Sequence, residues 1–151
     1  MSERYGVRRL SGRGMKQKGD NYERELAAYI NNKTGIESFR APLSGGGNVG
    51  MSGGADLLGV PDLFVEAKRV ERLNFHDALR QAERNIEKTK SPDAPVVINR
   101  KNRMATGESL CLLRLDDFLK YYKAYLKQEG FIDITDVDTK DEVLSEVQTI
   151  T

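Results

Sequence analysis

Eleven residues from Ser44 to Gly54, SGGGNVGMSGG, include six glycines and so carry little intrinsic order. The interval separates one expected helix and strand from the remaining elements of the chain. Before it, a helix is expected from Asp20, which can serve as N-cap with Glu23 three residues on, as in a capping box. Tyr22, Leu26, Tyr29 and Ile30 then share a face, and Gly35 is a stop signal. Residues 36–41 alternate like a strand. After the interval, ADLLG, VPD and LFVEAKR read as two short strands joined by a Pro-containing turn, a β-hairpin. Asn74 can cap a second helix with an apolar stripe of Phe75, Ala78, Leu79, Ala82 and Ile86. APVVIN reads as a buried strand, RKNRMATGE as a polar turn and SLCLLRL as another strand. A last helix should carry Asp116 and Asp117 in its first turn and face Phe118, Tyr122, Tyr125 and Leu126 inward. The expected class is α/β, a mixed central sheet flanked by helices.

The chemistry is bounded by what is scarce. Cys111 is the one cysteine and His76 the one histidine, which excludes an intramolecular disulfide, a Cys-rich zinc site and any centre of several imidazoles. His76 lies off the apolar stripe of its helix. A metal, if used, must be held by carboxylates, which suit Mg²⁺ or Mn²⁺. The net charge of +1 hides a polar layout. Arg4, Arg8, Arg9, Arg13, Lys16 and Lys18 face only Glu3 within residues 1–18, while residues 131–151 are as strongly acidic. The expected organisation is a basic flexible arm (1–18), a domain (19–130) and an acidic tail (131–151). A basic arm suits a polyanion such as nucleic acid, and reads equally as a solvated terminus. No apolar run approaches the roughly 18 residues of a membrane span, and MSERYGVRRL lacks a signal-peptide core, so a cytoplasmic setting is expected. The glycine-rich interval lacks the G-K-[ST] end of a P-loop, so no nucleotide cofactor is expected.

The hairpin carries the chemistry. Glu66 and Lys68 are two apart and project from one face of a strand, with Phe64 on the same face. If the turn centres near Pro61, Asp56 stands opposite Glu66, with Cβ atoms about 4.5–5.5 Å apart. Two facing carboxylates repel, and a shared divalent cation relieves that repulsion. With a lysine beside them, the set suits phosphodiester hydrolysis, in which a metal activates water and Lys68 positions it or steadies the phosphorane. The plain alternative is a solvated strand face carrying a weak Glu–Lys pair. Asp62, after Pro61, is too near Glu66 to face it in a hairpin and reads as a turn residue.

The string DLLGVPDLFVEAK resembles the core of PD-(D/E)-X-K nucleases. More closely, the chain resembles the archaeal-type Holliday-junction resolvases and their phage relatives. The matching pieces are Lys18-Gly19, Glu23-Arg24-Glu25-Leu26, Phe39-Arg40-Ala41-Pro42 with Ser44-Gly45-Gly46, Ala55-Asp56-Leu57 and Val65-Glu66-Ala67-Lys68, covering about residues 15–100. The resemblance implies a restriction-endonuclease-like core, a homodimer and Mg²⁺-dependent cutting of branched DNA such as a four-way junction, with Mn²⁺ as a substitute. It implies Asp56, Glu66 and the Ala67 carbonyl as metal ligands and Lys68 as the catalytic lysine. Glu23 would approach the metal from the first helix, a role that competes with its capping-box reading. Arg24 and Arg40 would hold phosphates, Ser44 would open a loop near the scissile strand, and Gln81 would contact DNA or orient water. Arg8, Arg9, Arg13, Lys16 and Lys18 of the basic arm, with Arg69, Arg72, Arg80 and Arg84, would extend the DNA surface, and the last four read equally as an ordinary solvated helix face. Nucleases of the same core that cut duplex, flap or restriction-type sites share these motifs, and a non-catalytic DNA-binding module would keep the fold.

Overall fold

The computed structural model describes residues 12–42 and 54–133. The chain divides into two compact units at Leu113 and Arg114, inside the stretch expected to form one domain. In the first unit, α1 (Gly12–Thr34) precedes β1 (Phe39–Arg40), β2 (Leu57–Leu58), β3 (Leu63–Lys68), α2 (Phe75–Thr89), β4 (Ala94–Asn99) and β5 (Leu110–Leu112). The second holds α3 (Leu115–Gln128). The class is mixed α/β. Among the described residues, no helix is long and apolar enough to cross a membrane.

α1 begins eight residues before the expected cap. Residues 12–18, read as part of a flexible arm, are helical, and Asp20 lies mid-helix. The capping-box reading of Asp20 and Glu23 therefore falls: inside the helix the following amides bond to the preceding turn, and both side chains pair with Arg40 instead. Gly35 ends the helix at φ +80, with its N–H on the Asn31 carbonyl at 2.8 Å. Asn31 then fastens the exit: its Oδ1 accepts from the Ser38 amide at 2.7 Å and its Nδ2 donates to the Ser38 carbonyl at 2.8 Å.

The strands form two small sheets rather than one. β1 pairs antiparallel with β2, and β3 pairs parallel with β4, which pairs antiparallel with β5. The expected hairpin is thus corrected: β2 takes its ladder partner from β1, and β3 takes its own from β4. The Asp56 amide still bonds the Val65 carbonyl at 2.9 Å, joining the residue before β2 to β3. The faces of β3 sort the core. Val65 packs with Val96, Ile98 and the α1 residues Tyr22, Leu26 and Ala27. Phe64 packs with Ala82, and Val97 with Ala78 and Leu79 of α2. Asn74 caps α2 as expected, accepting from the Asp77 amide at 3.2 Å.

The tight link from β2 to β3 depends on Gly59 at φ +77. A Cβ there would lie 2.6 Å from the Glu37 carbonyl oxygen. Both the positive φ and a backbone clash oppose any side chain, so Gly59→Ala should cost about 2 kcal/mol or more. The check is thermal or denaturant unfolding of the variant; a loss under half that size would contradict the tight packing of this turn. Asp62 follows at φ 63, a turn residue as expected.

α3 ends in a Schellman motif: Gly130 has φ +75, the Phe131 amide bonds the Leu126 carbonyl and the Gly130 amide that of Lys127. Its apolar side was expected inward, yet Phe118, Tyr122 and Tyr125 are all exposed. The rings stack on one another instead, Phe118 on Tyr122 at 5.7 Å and Tyr122 on Tyr125 at 6.1 Å.

Candidate active site: a carboxylate pair at the edge of β3

β3 ends by carrying Glu66 and Lys68 out on one face. Their pairing is direct, Lys68 Nζ to Glu66 Oε1 at 3.1 Å. Glu66 is buried, and its other oxygen, Oε2, has no hydrogen-bond partner among the described residues. Burial raises the Glu66 pKa; Lys68 opposes that rise. Asp56 comes to the neighbouring edge of β3. Its backbone bonds Val65, and its Oδ2 accepts from the Ala67 amide at 2.7 Å. Amide and carbonyl of one strand residue share an edge, so the Ala67 carbonyl belongs to the edge that Asp56 occupies. Burial foremost, then the charges of Glu66 and Glu23, push Asp56 from 3.8 up to about 8; the Ala67 amide and Lys68 pull the other way.

Two neighbouring carboxyls both raised above their ordinary range are an unstable arrangement once ionised, and a cation relieves it. The residues present fit such an ion. Glu66 Oε2 is a buried acceptor without a donor. Asp56, Glu66 and the Ala67 carbonyl are hard oxygen donors. No group of three or more His, Cys, Asp or Glu placed to hold a metal occurs among the described residues. Mg²⁺ is commonly held by one or two carboxylates, with water and substrate phosphate filling its other positions.

Glu23 faces the pair from α1, but its carboxylate is engaged. Arg40 Nε donates to Glu23 Oε2 at 2.6 Å, and Arg40 Nη2 pairs with Asp20 at 2.7 Å. Arg40, expected to hold phosphates, is instead clamped between two carboxylates with its side chain mostly buried. Asp20 was missed as a partner because a sequence pattern makes it a cap; the signal was the acidic residue three before Glu23, on the same helical face.

The remaining candidates scatter. Arg13, Lys16, Arg24 and Arg72 are exposed, Arg24 bonding Asn21. Gln81 is exposed and accepts from Arg84 at 2.9 Å, while Arg80 pairs with Asp77. Among the described residues, no contact brings Gln81 to the carboxylates. His76 is exposed. Arg8, Arg9, Ser44 and the acidic tail beyond Asp133 lie outside the described residues. Lys18 and Arg69 line a separate cavity with Arg100, which the sequence did not single out. The chain matches no protein-family model, no curated protein and no solved structure.

Proposed function

We propose that the protein is a metal-dependent, structure-selective DNA endonuclease with a restriction-endonuclease-like core, acting as a homodimer on four-way junctions. The observation that carries this is half-buried Asp56 beside buried Glu66 on the edge of β3, with Lys68 tied to Glu66. The order of motifs shared with junction resolvases adds the substrate class. Asp56, Glu66 and the Ala67 carbonyl would hold Mg²⁺ or Mn²⁺. When bound, that ion supplies an activated water and neutralises charge on the phosphoryl oxygens.

The chain's own groups do the rest. Glu66 holds the Lys68 ammonium at the end of the strand. The ammonium donates hydrogen bonds to a non-bridging phosphate oxygen as negative charge builds there. Water oxygen bonds to phosphorus as the bond from phosphorus to the departing sugar oxygen breaks; the water gives up one proton to solvent, and the departing oxygen takes one up from solvent to leave as a hydroxyl. Glu23, fixed by Arg40, supplies negative potential beside Asp56 and favours a cation there. Two copies related by a two-fold axis would match the near two-fold symmetry of a four-way junction and cut it in pairs. Recognition would rest on backbone and shape.

The experiment is cleavage of a synthetic four-way junction with Mg²⁺, compared with its isolated duplex arms. Paired nicks in the junction, with arms cut at least about tenfold more slowly, support the reading. Equal cutting of both makes the protein a general nuclease of this core. Binding without any cutting, in either Mg²⁺ or Mn²⁺, contradicts the endonuclease reading.

A further inference from the structure

A cavity of about 410 Å³ lies on the α1 side of the first unit, lined by Lys18, Asn21, Tyr22, Glu25, Arg69 and Arg100 among others. Three cations there meet one carboxylate. β3 and β4 run parallel and end together, Lys68 opposite Asn99. Arg69 and Arg100 are the next residues of each strand, so the cavity sits at the carboxyl ends of the parallel pair, where open α/β sheets bind ligands. The Arg100 amide bonds the Lys68 carbonyl at 3.1 Å, so the cavity and the candidate catalytic lysine share one end of the strand pair.

The guanidinium of Arg100 is held in place without being used up. It stands over the buried Tyr22 ring, 5.5 Å from its centroid, and the Tyr22 hydroxyl is fixed on Ser109 at 2.9 Å. Nη1 donates to the Met104 carbonyl at 3.2 Å and Nη2 pairs with Glu25 at 3.3 Å. Nε is buried and has no acceptor among the described residues. A buried N–H without a partner carries a penalty. Arg69 spends one donor on the Arg100 carbonyl at 3.1 Å, of the five a guanidinium has. Lys18 is steadied by Asn102 at 2.7 Å. Preset cations with unused donors, in a hollow wider than one ion needs, match a phosphodiester with part of its flanking sugars.

We propose that this cavity binds a backbone phosphate of the DNA strand next to the one cut at Asp56, Glu66 and Lys68. The inference rests on the endonuclease reading and adds a positioning site to it. Arg100 is its anchor, Arg69 and Lys18 flank it, and Glu25 tempers its affinity.

The test is fluorescence anisotropy with a labelled four-way junction and with its duplex arm, in Ca²⁺ to support binding without Mg²⁺ turnover, over about 50–200 mM salt. Arg69→Gln and Arg100→Gln should each weaken binding about tenfold. Their combination should make the slope of log K against log salt shallower by about 1, because one phosphate is no longer neutralised by the protein. Glu25→Gln should tighten binding about threefold, whereas an ion pair serving only the fold would weaken it. Should Arg100→Gln fail to fold, Lys18→Gln and Glu25→Gln, both at more exposed positions, carry the same test. Binding within twofold of wild type and an unchanged salt slope in the double variant overturn the inference. So does a thermal shift with inorganic phosphate that vanishes in the variants while their DNA affinity stays normal, which would mark a small-anion site. Wild-type protein that neither binds nor cuts any DNA overturns the endonuclease reading itself. Wild-type protein that cuts, with variants that bind equally well, overturns the subsite alone.

Discussion

Asp56→Asn and Glu66→Gln are each expected to lower junction cleavage by at least about 1000-fold, with junction binding within about threefold of wild type. Each substitution keeps shape and volume and removes one ionisable oxygen donor. A metal that stabilises the transition state by several kcal/mol is lost with its ligands, and about 4 kcal/mol is three decades in rate. Binding survives because affinity for DNA comes from cations along the backbone, which these changes leave alone. The check is single-turnover cleavage beside anisotropy on the same junction. A variant cutting within tenfold of wild type would remove that residue from the active site. Loss of binding in parallel would mean that the pair shapes the DNA surface rather than the chemistry.

The second large effect concerns stability without metal. The free protein is expected to lose several kcal/mol of stability as pH rises from about 4 to about 8, relative to Asp56→Asn under the same conditions. The sign follows from Asp56, which burial and the neighbouring carboxylates raise from 3.8 to about 8. Below about 4 the carboxyl is protonated in folded and unfolded chains alike, and its contribution is fully present. Between the two values the unfolded chain has released this proton while the folded chain retains it, so each step up in pH favours unfolding. Above about 8 a buried charge is left facing Glu66, and the contribution is gone. Glu66 is shifted in the same direction and adds to the trend. Millimolar Mg²⁺ or Mn²⁺ should reverse the loss, most strongly above pH 8, because the ion binds the deprotonated pair. Thermal unfolding across pH, with and without the ion, reads both effects. A wild-type curve parallel to that of Asp56→Asn, or no added stability from either ion at high pH, would contradict a strained carboxylate pair.

Much of this was legible from residue order. Asn74 as a cap, the α2 stripe, β4 at Ala94–Asn99, Gly35 as a stop and Asp62 as a turn residue are all local signals, and each appears in the fold. The pairing of Glu66 with Lys68 followed from the two-residue period of a strand. What local rules missed was set by distant partners. Asp20 has the chemistry of a cap, yet α1 continues through it because Arg40, twenty residues on, takes up its charge. The hairpin was read from two adjacent apolar runs, but β2 gains a ladder with β1 across the glycine-rich interval, and β3 gains a longer parallel one with β4. Asp56 still reaches β3, through its own amide and carboxylate rather than through regular pairing. Arg100 was invisible because its role comes from the parallel register that ends β3 and β4 together.

The most direct measurement is manganese anomalous scattering from crystals of the protein with a four-way junction and Mn²⁺. The account predicts a peak bonded to carboxylate oxygens of both Asp56 and Glu66, with a phosphate oxygen of the DNA completing the shell. Ordered DNA over this edge of β3 with no metal between those two side chains would contradict it.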